Sequence, residues 1–189
     1  MELRQLKNII EAALLVADRP LRIEQLAQLV TDEQGDYSRD AILEALAWLE
    51  ADCAGRGIEL KCVASGYRFQ VREALAPWIS RLLAEKPPCY SRALLETLAL
   101  IAYRQPITRG EIEAIRGVSV STGIMKALQE REWVRIVGHR DVPGRPALYG
   151  STRQFLDYFN LKTLDDLPAL AELAGLSKVQ PQLTLEPQT

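Results

Sequence analysis

The residue types that most often carry chemistry are few in this chain and poorly spaced for it. The 189 residues hold one histidine, His139, between a glycine and an arginine. A zinc site needs several His, Cys or carboxylate ligands converging, and Cys53, Cys62 and Cys89 have no CxxC spacing to supply them. Three cysteines so arranged read as free thiols in a reducing cytoplasm. No GxSxG elbow, phosphate-cradling Walker loop or glycine-rich dinucleotide turn occurs. The carboxylate pairs Glu111/Glu113 and Asp165/Asp166 are too close along their expected helices to share a face. They read as solvated helix surface rather than as a general acid and base. No catalytic residue, metal, cofactor or small-molecule substrate is expected.

The least generic stretch is Gly138-His139-Arg140-Asp141-Val142-Pro143-Gly144-Arg145-Pro146-Ala147-Leu148-Tyr149-Gly150. Pro143 pre-sets a turn, Gly144 can take positive φ, and Pro146 limits ladder pairing. The product is a short, rigid hairpin tip displaying Arg140 and Arg145, with Asp141 able to hold one of them. Turn chemistry alone also accounts for much of this pattern, with Leu148 and Tyr149 returning to the core.

The elements that position this tip follow from periodicity. Leu3, Leu6, Ile10, Ala13, Leu14 and Ala17 recur at helical spacing and predict a helix over 2–17. Arg19-Pro20 ends it. A short helix over 22–30 turns Ile23, Leu26 and Leu29 inward. Ser38 caps a third, to about Asp52, with Ile42, Leu43, Leu46 and Leu49 as its stripe. Ile58–Cys62 and Tyr67–Val71 then alternate around Ser65-Gly66, a hairpin signal. A helix over 72–84 puts Leu75, Trp78, Ile79 and Leu82 on one face. Lys86–Tyr90, with two prolines, reads as a stiff linker.

After it the series restarts. Ser91 caps a helix to Tyr103, and Thr108 with Glu111 forms a capping box for the next, which Gly117 ends. Ser119 or Ser121 opens a third, ending near Arg131. Trp133–Val137 and Ala147–Gly150 are the strands flanking the tip. Thr152 caps a helix through Tyr158, and 161–173 reads as a further helical piece. Beyond Gly175 the composition is that of a disordered tail.

The restart is visible as a repeat. Residues 9–20, IIEAALLVADRP, match 94–106, LLETLALIAYRQP, with Glu11 on Glu96, Ala17 on Ala102 and Arg19 on Arg104. An inserted Gln105 brings Pro20 onto Pro106, and Leu26 and Leu29 fall opposite Ile112 and Ile115. A unit written twice implies two tandem domains of one fold. Helices followed by a hairpin is the order of a winged helix. The fold class expected is mainly α with short β-hairpins (α+β), as two tandem winged-helix domains. Their bounds are 1–85 and 91–174, with a linker at 86–90 and a disordered tail at 175–189.

The net charge of −2 is unevenly spread: −4 over 1–85, +5 over 86–163 and −3 over 164–189. A basic second half suits contact with nucleic acid or an acidic partner, or is a solvated surface. No apolar stretch is long enough to span a bilayer and no secretory leader is apparent, so a cytoplasmic protein without membrane contact is expected.

Pro106-Ile107-Thr108-Arg109, leading to Glu113-Ala114-Ile115-Arg116-Gly117-Val118, then the hairpin, Thr152, Phe155-Leu156 and Phe159-Asn160-Leu161, resembles the segregation and condensation protein B (ScpB) family. That family supplies the accessory subunit of the bacterial SMC–kleisin complex. The resemblance covers most of residues 1–173 and is most specific over 94–170. Glu132-Trp133 departs from the family's glycine and aliphatic residue, and Asn160 from its usual glycine.

The resemblance implies two winged-helix domains and no catalytic centre. It also implies a homodimer formed through the N-terminal domain, and a grip on the kleisin ScpA and, through it, the SMC ATPase. The expected setting is chromosome condensation and segregation on the nucleoid. The candidate partner-binding residues are Arg140, Asp141, Val142, Pro143, Gly144, Arg145, Pro146, Phe155, Tyr158 and Phe159, of which Phe155 and Phe159 are equally suited to the domain's own core. An amphipathic segment laid in an apolar groove is the expected mode.

The alternative is a winged-helix transcription regulator. Its reading helices would need Arg, Lys, Asn or Gln near their N-termini. Residues 38–52 carry Asp40, Glu44, Glu50 and Asp52, and 119–131 open Ser-Val-Ser-Thr-Gly. Weak non-specific DNA contact by Arg140, Arg145 and the basic second domain stays open.

Overall fold

A computed structural model describes residues 2–31, 38–82 and 90–168. The expected tail at 175–189, residues 86–89 of the expected linker and the end of the 161–173 piece lie outside the described residues. The architecture is mixed α+β with short hairpins. In chain order the elements are α1 (Leu3–Val16), α2 (Ile23–Val30), α3 (Arg39–Asp52), β1 (Ile58–Val63), β2 (Gly66–Val71) and α4 (Ala76–Leu82). There follow α5 (Arg92–Arg104), β3 (Ile107–Thr108), α6 (Arg109–Arg116), α7 (Thr122–Glu130), β4 (Val134–His139), β5 (Ala147–Ser151) and α8 (Arg153–Tyr158). Single 3-10 turns at Glu73–Leu75 and Leu164–Asp166 precede α4 and follow α8.

Local chemistry starts the helices where the side chains demand it. Ser38, Ser91, Ser121 and Thr152 each accept a bond from a first-turn amide. Thr108 and Glu111 form the reciprocal box, with Glu111 N–H donating to Thr108 Oγ1 at 3.2 Å and Thr108 N–H to Glu111 Oε2 at 2.8 Å. Gly117 closes α6 at φ 71°.

Two separate apolar clusters result. The first joins Leu6, Ile10 and Leu14 of α1 to Leu26, Val30, Ile42, Leu46 and Leu60. The second joins Leu94, Leu98 and Ile101 of α5 to Ile112, Leu128, Trp133 and Phe155. Burying each such side chain contributes about 1.5–3 kcal/mol. Two inward assignments fail. Leu29 is 54% exposed and Leu43 36%. Val30 and Ala45 fill those places because the helices are rotated toward them.

The element order occurs twice, but the register of the first helix differs from the one its motif suggests. From Pro20 onward the alignment holds: α2 falls on α6 residue for residue, and Leu21, bridged to Tyr67, falls on Ile107, paired with Tyr149. In the long helices, burial matches Leu6, Ile10 and Leu14 with Leu94, Leu98 and Ala102. Setting Glu11 on Glu96 would instead lay fully buried Ile10 on Leu95, which is 41% exposed. The helix ends, Val16 and Arg104, are therefore equivalent. Ala17–Pro20 is a longer connection than Gln105-Pro106, so the extra residues belong to the first copy, and Arg19 has no counterpart in Arg104. Fit of apolar faces fixes register more firmly than shared letters do.

Each hairpin is antiparallel. β1 pairs β2 from Ile58↔Val71 to Val63↔Gly66. The second sheet has the order β3-β5-β4, with a bulge between Ile136 and Gly138. The turn of the first hairpin docks on the end of α8. Ser65 N–H donates to Asp157 Oδ1 at 2.9 Å, and Ala64 N–H to Leu161 O at 2.9 Å. One Arg68 nitrogen donates to both Asp157 O (2.9 Å) and Asn160 Oδ1 (2.8 Å). This seam joins the two units.

Candidate partner-binding surface

The tip between β4 and β5 is built as its residues dictate. Gly144 sits at φ 84° and Arg145 at φ 39°. Arg140 N–H donates to Pro146 O and Arg145 N–H to Val142 O, both at 2.9 Å. Arg140, Asp141, Val142, Pro143, Gly144, Arg145 and Pro146 are all exposed. Asp141 holds neither arginine. Arg140 instead reaches α6, where its Nη2 donates to Glu111 Oε1 at 2.6 Å. The capping box explains the choice. It uses Glu111 Oε2, leaving Oε1 rigidly placed for the guanidinium. Bonds from the backbone and hydroxyl of Thr108, and then from Arg140, hold the Glu111 carboxyl below its usual range.

Glu113 is likewise no free surface carboxylate. It accepts from Val120 N–H at 2.9 Å and Arg109 Nε at 3.0 Å, and the Val120 amide is the chief cause of its lowered pKa. Asp166 accepts from the Thr163 and Lys162 amides, which lower it in the same way. These carboxylates, which the sequence leaves as solvated surface, brace loops.

The α8 residues divide. Phe155 is 4% exposed and belongs to the second cluster, whereas Tyr158 and Phe159 are 45% and 39% exposed. The latter two cover Trp133, with ring centroids at 4.6 and 5.4 Å. Tyr90 completes the group edge-on to Trp133 at 5.1 Å, and its hydroxyl lies 3.0 Å from that of Tyr158. That hydroxyl contact is the main cause of the raised Tyr158 pKa. Arg131 lies over the Tyr90 ring at 4.9 Å.

Apolar grooves flank α5. A groove of about 480 Å³ runs between α5 and α6 over Leu100, Tyr103, Ile115 and Val118, rimmed by Glu96 and Arg116. Another, of about 430 Å³, runs along the other flank of α5 over Leu95, Tyr103, Phe159 and Leu167. A third joins Arg140 to Arg104 and Ile115. They are separate grooves with shared walls: Ala99 and Tyr103, one turn apart on α5, line both of the first two, and Arg104 and Ile115 line both the first and the third. Arg140 lines the third and Phe159 the second. Residues 141–146 and Tyr158 line none of the three.

Sequence reasoning omitted Leu100, Tyr103, Ile115 and Val118. A signal for them exists: α5 is apolar on more than one side, which marks a helix packed on one face and available on another. In the first unit the comparable exposed feature is α4 with its preceding turn. Trp78 is 61% and Leu82 79% exposed, Leu75 and Ile79 lie beside them, and α4 buries no residue. Among the described residues there is no cluster of metal-binding side chains, and no helix is long and apolar enough to cross a membrane.

Residues 8–170 match the family model of the segregation and condensation complex subunit ScpB. The segregation and condensation protein B homolog of Coxiella burnetii is 56% identical over 176 residues, 93% of this chain and 84% of that protein. Segregation and condensation protein B of Syntrophotalea carbinolica is 47% identical over 186 residues, covering 98% and 92%. The crystal structure of ScpB from Mycobacterium tuberculosis is 32% identical and covers 85% of this chain and 98% of that one, with a TM-score of 0.39. The sequence matches, spanning nearly the whole chain at such identity, carry the assignment: the chain belongs to the segregation and condensation complex subunit ScpB family.

Proposed function

We propose that this chain is a non-catalytic accessory subunit of a bacterial SMC–kleisin complex, working in chromosome condensation and segregation in the cytoplasm at the nucleoid. Its two units are tandem winged-helix domains, 1–85 and 91–174, and the second binds the kleisin ScpA. The observation that carries the reading is the pair of apolar grooves on the two flanks of α5, one walled by Leu100 and Ile115 and the other by Leu95 and Phe159. The groove lined by Leu100, Tyr103 and Ile115 suits one face of an amphipathic helix. Arg116 and Arg140, each backed by a carboxylate, suit acidic positions at its edge. The tip residues Asp141–Pro146 and Tyr158 flank the groove.

The first unit forms the homodimer through the Glu73–Leu82 segment. A helix as short as α4 has little stability alone. With Trp78 and Leu82 bare, a second copy related by a two-fold axis supplies the missing partner face.

The test is binding of purified ScpA from the same host, read by calorimetry. Reversing Arg140 and Arg145 to Glu, or Ile115→Asp in the groove, weakens binding at least tenfold, about 1.4 kcal/mol, while leaving circular dichroism unchanged. Full affinity in folded Ile115→Asp sinks the groove. Trp78→Ser with Leu82→Ser yields a monomer by sedimentation; a persisting dimer moves that interface elsewhere.

A further inference from the structure

At the seam a polar pocket of about 270 Å³ opens that none of the roles above uses. Arg19 and Arg22 enter it from the connection between α1 and α2, and Arg153 from the first turn of α8. Among the described residues none of the three forms an ion pair. Arg116 and Arg140, on the grooves of the second unit, both have one. Among the described residues that line the pocket Asp157 is the one carboxylate, which leaves those residues at net +2. One of its oxygens is engaged by the Ser65 amide.

The geometry points to a binding site for a phosphate group, clamped between the two units. Guanidinium forks match phosphate oxygens, and a tetrahedral dianion offers enough of them for three forks at once, whereas a single carboxylate satisfies one. The pocket is preformed, because the bonds of Ser65 and Arg68 to the end of α8 hold Arg153 opposite Arg19 and Arg22. Arg19 is there because the α1–α2 connection is longer than its counterpart; Arg104 ends α5 in an apolar groove instead. A phosphate held from both sides also stabilises the seam by linkage, since it binds only the joined arrangement. The group belongs either to a DNA backbone or to a small phosphate.

The experiment uses the full chain, labelled with ¹⁵N, titrated with inorganic phosphate against chloride at matched ionic strength. The Ser65 amide and the Nε–H signals of Arg19 and Arg153 shift saturably with phosphate alone. Arg19→Gln and Arg153→Gln, whose other amide signals stay in place, lose the saturation. A second arm measures binding of a fluorescent DNA duplex across salt concentrations. If DNA is the source, the double variant binds at least threefold more weakly, and its salt slope falls by about 0.9 for each phosphate no longer neutralised. If a small phosphate is the source, DNA affinity is unchanged while phosphate saturation disappears. Two results overturn the site: saturation that survives in the double variant, or no saturation in the unaltered chain together with a DNA affinity that the double variant leaves unchanged.

Discussion

Gly66 and Gly144 both hold positive φ in hairpins of the two units, yet they are needed for different reasons. At Gly66, φ is 136° and a Cβ would stand 2.3 Å from the Leu21 carbonyl oxygen. At Gly144, φ is 84° and a Cβ would meet open space. The first hairpin is pressed on both sides, against Leu21 through the Tyr67 bridge and against α8 through Ser65 and Arg68. The second hairpin carries its tip in solvent, tied back among the described residues by Arg140 on Glu111. One shape therefore serves as a joint in one unit and as a display in the other.

The sharpest way to break this comparison is to add one methyl group at each place. Gly66→Ala must displace backbone, and costs about 3 kcal/mol or more. Gly144→Ala pays only for the left-handed conformation, about 1 kcal/mol. Urea unfolding of the full chain measures both. Equal costs would mean that the first hairpin is not held as closely as its contacts imply.

The joint itself is tested next. Asp157 is 7% exposed and accepts the Ser65 amide, while Arg68 Nε is buried without a partner among the described residues. Asp157→Ala orphans the Ser65 amide and costs about 2 kcal/mol. It also lets the units unfold apart, so circular dichroism and Trp133 fluorescence should cease to coincide. A single coincident transition in the variant would place the coupling elsewhere.

Much of this was legible, and the boundary is physical. Thr108 with Glu111, and the caps at Ser38, Ser91 and Thr152, lie within a few residues of the groups they satisfy, so local pattern finds them. The first hairpin announces itself by alternation, the second by the turn chemistry of Pro143-Gly144. β3 is two residues long and carries no period. Sequence displays adjacency and so pairs Arg140 with its neighbour Asp141, whereas Glu111 becomes adjacent only once α6 packs beside the tip. Arg68 and Asp157 sit far apart in the chain and have no signal at all. Of the candidate site, the tip and α8 are legible. The grooves beside α5 are only faintly so, because the apolar residues that line them look like the core face of the same helix.

Two non-glycine residues in the left-handed region sharpen the contrast further. Glu132 and Asn160 hold φ 56° and 58°, where a side chain is strained. Asn160 has compensation, since its side chain accepts from Arg68. The Thr152 hydroxyl donates to the Glu132 carbonyl, but the Glu132 side chain itself forms no hydrogen bond among the described residues. Glu132→Gly should therefore raise stability by about 0.5 kcal/mol, strain relief outweighing the added freedom of the unfolded chain. Asn160→Gly gains the same relief but loses the bond across the seam, so it should come out neutral or destabilising. A stabilising Asn160→Gly of equal size would show that the Arg68 contact contributes nothing.

The smallest effect separates the units by acid. Glu96, Glu111, Glu113 and Asp166 all lie in the second unit and all titrate below their ordinary values. Arg92 and then Arg116 hold Glu96 down, and amides hold the other three. A carboxyl whose folded pKa is depressed binds fewer protons in the folded state than in the unfolded one. Its contribution is complete above the ordinary value, 4.5 for Glu and 3.8 for Asp, and is lost as pH falls through the lowered ones. The side chains are well exposed, so screening keeps each contribution small. Urea midpoints reported by Trp133, with Trp48 and Trp78 replaced by Phe, should be flat above about pH 5 and fall below it. Glu111→Gln with Glu113→Gln keeps acceptors for Thr108 and Val120 and removes two titrations, so the fall should become shallower. A fall of unchanged steepness in that variant, or an equal fall reported by Trp48 alone, would detach acid sensitivity from the braced carboxylates of the second unit.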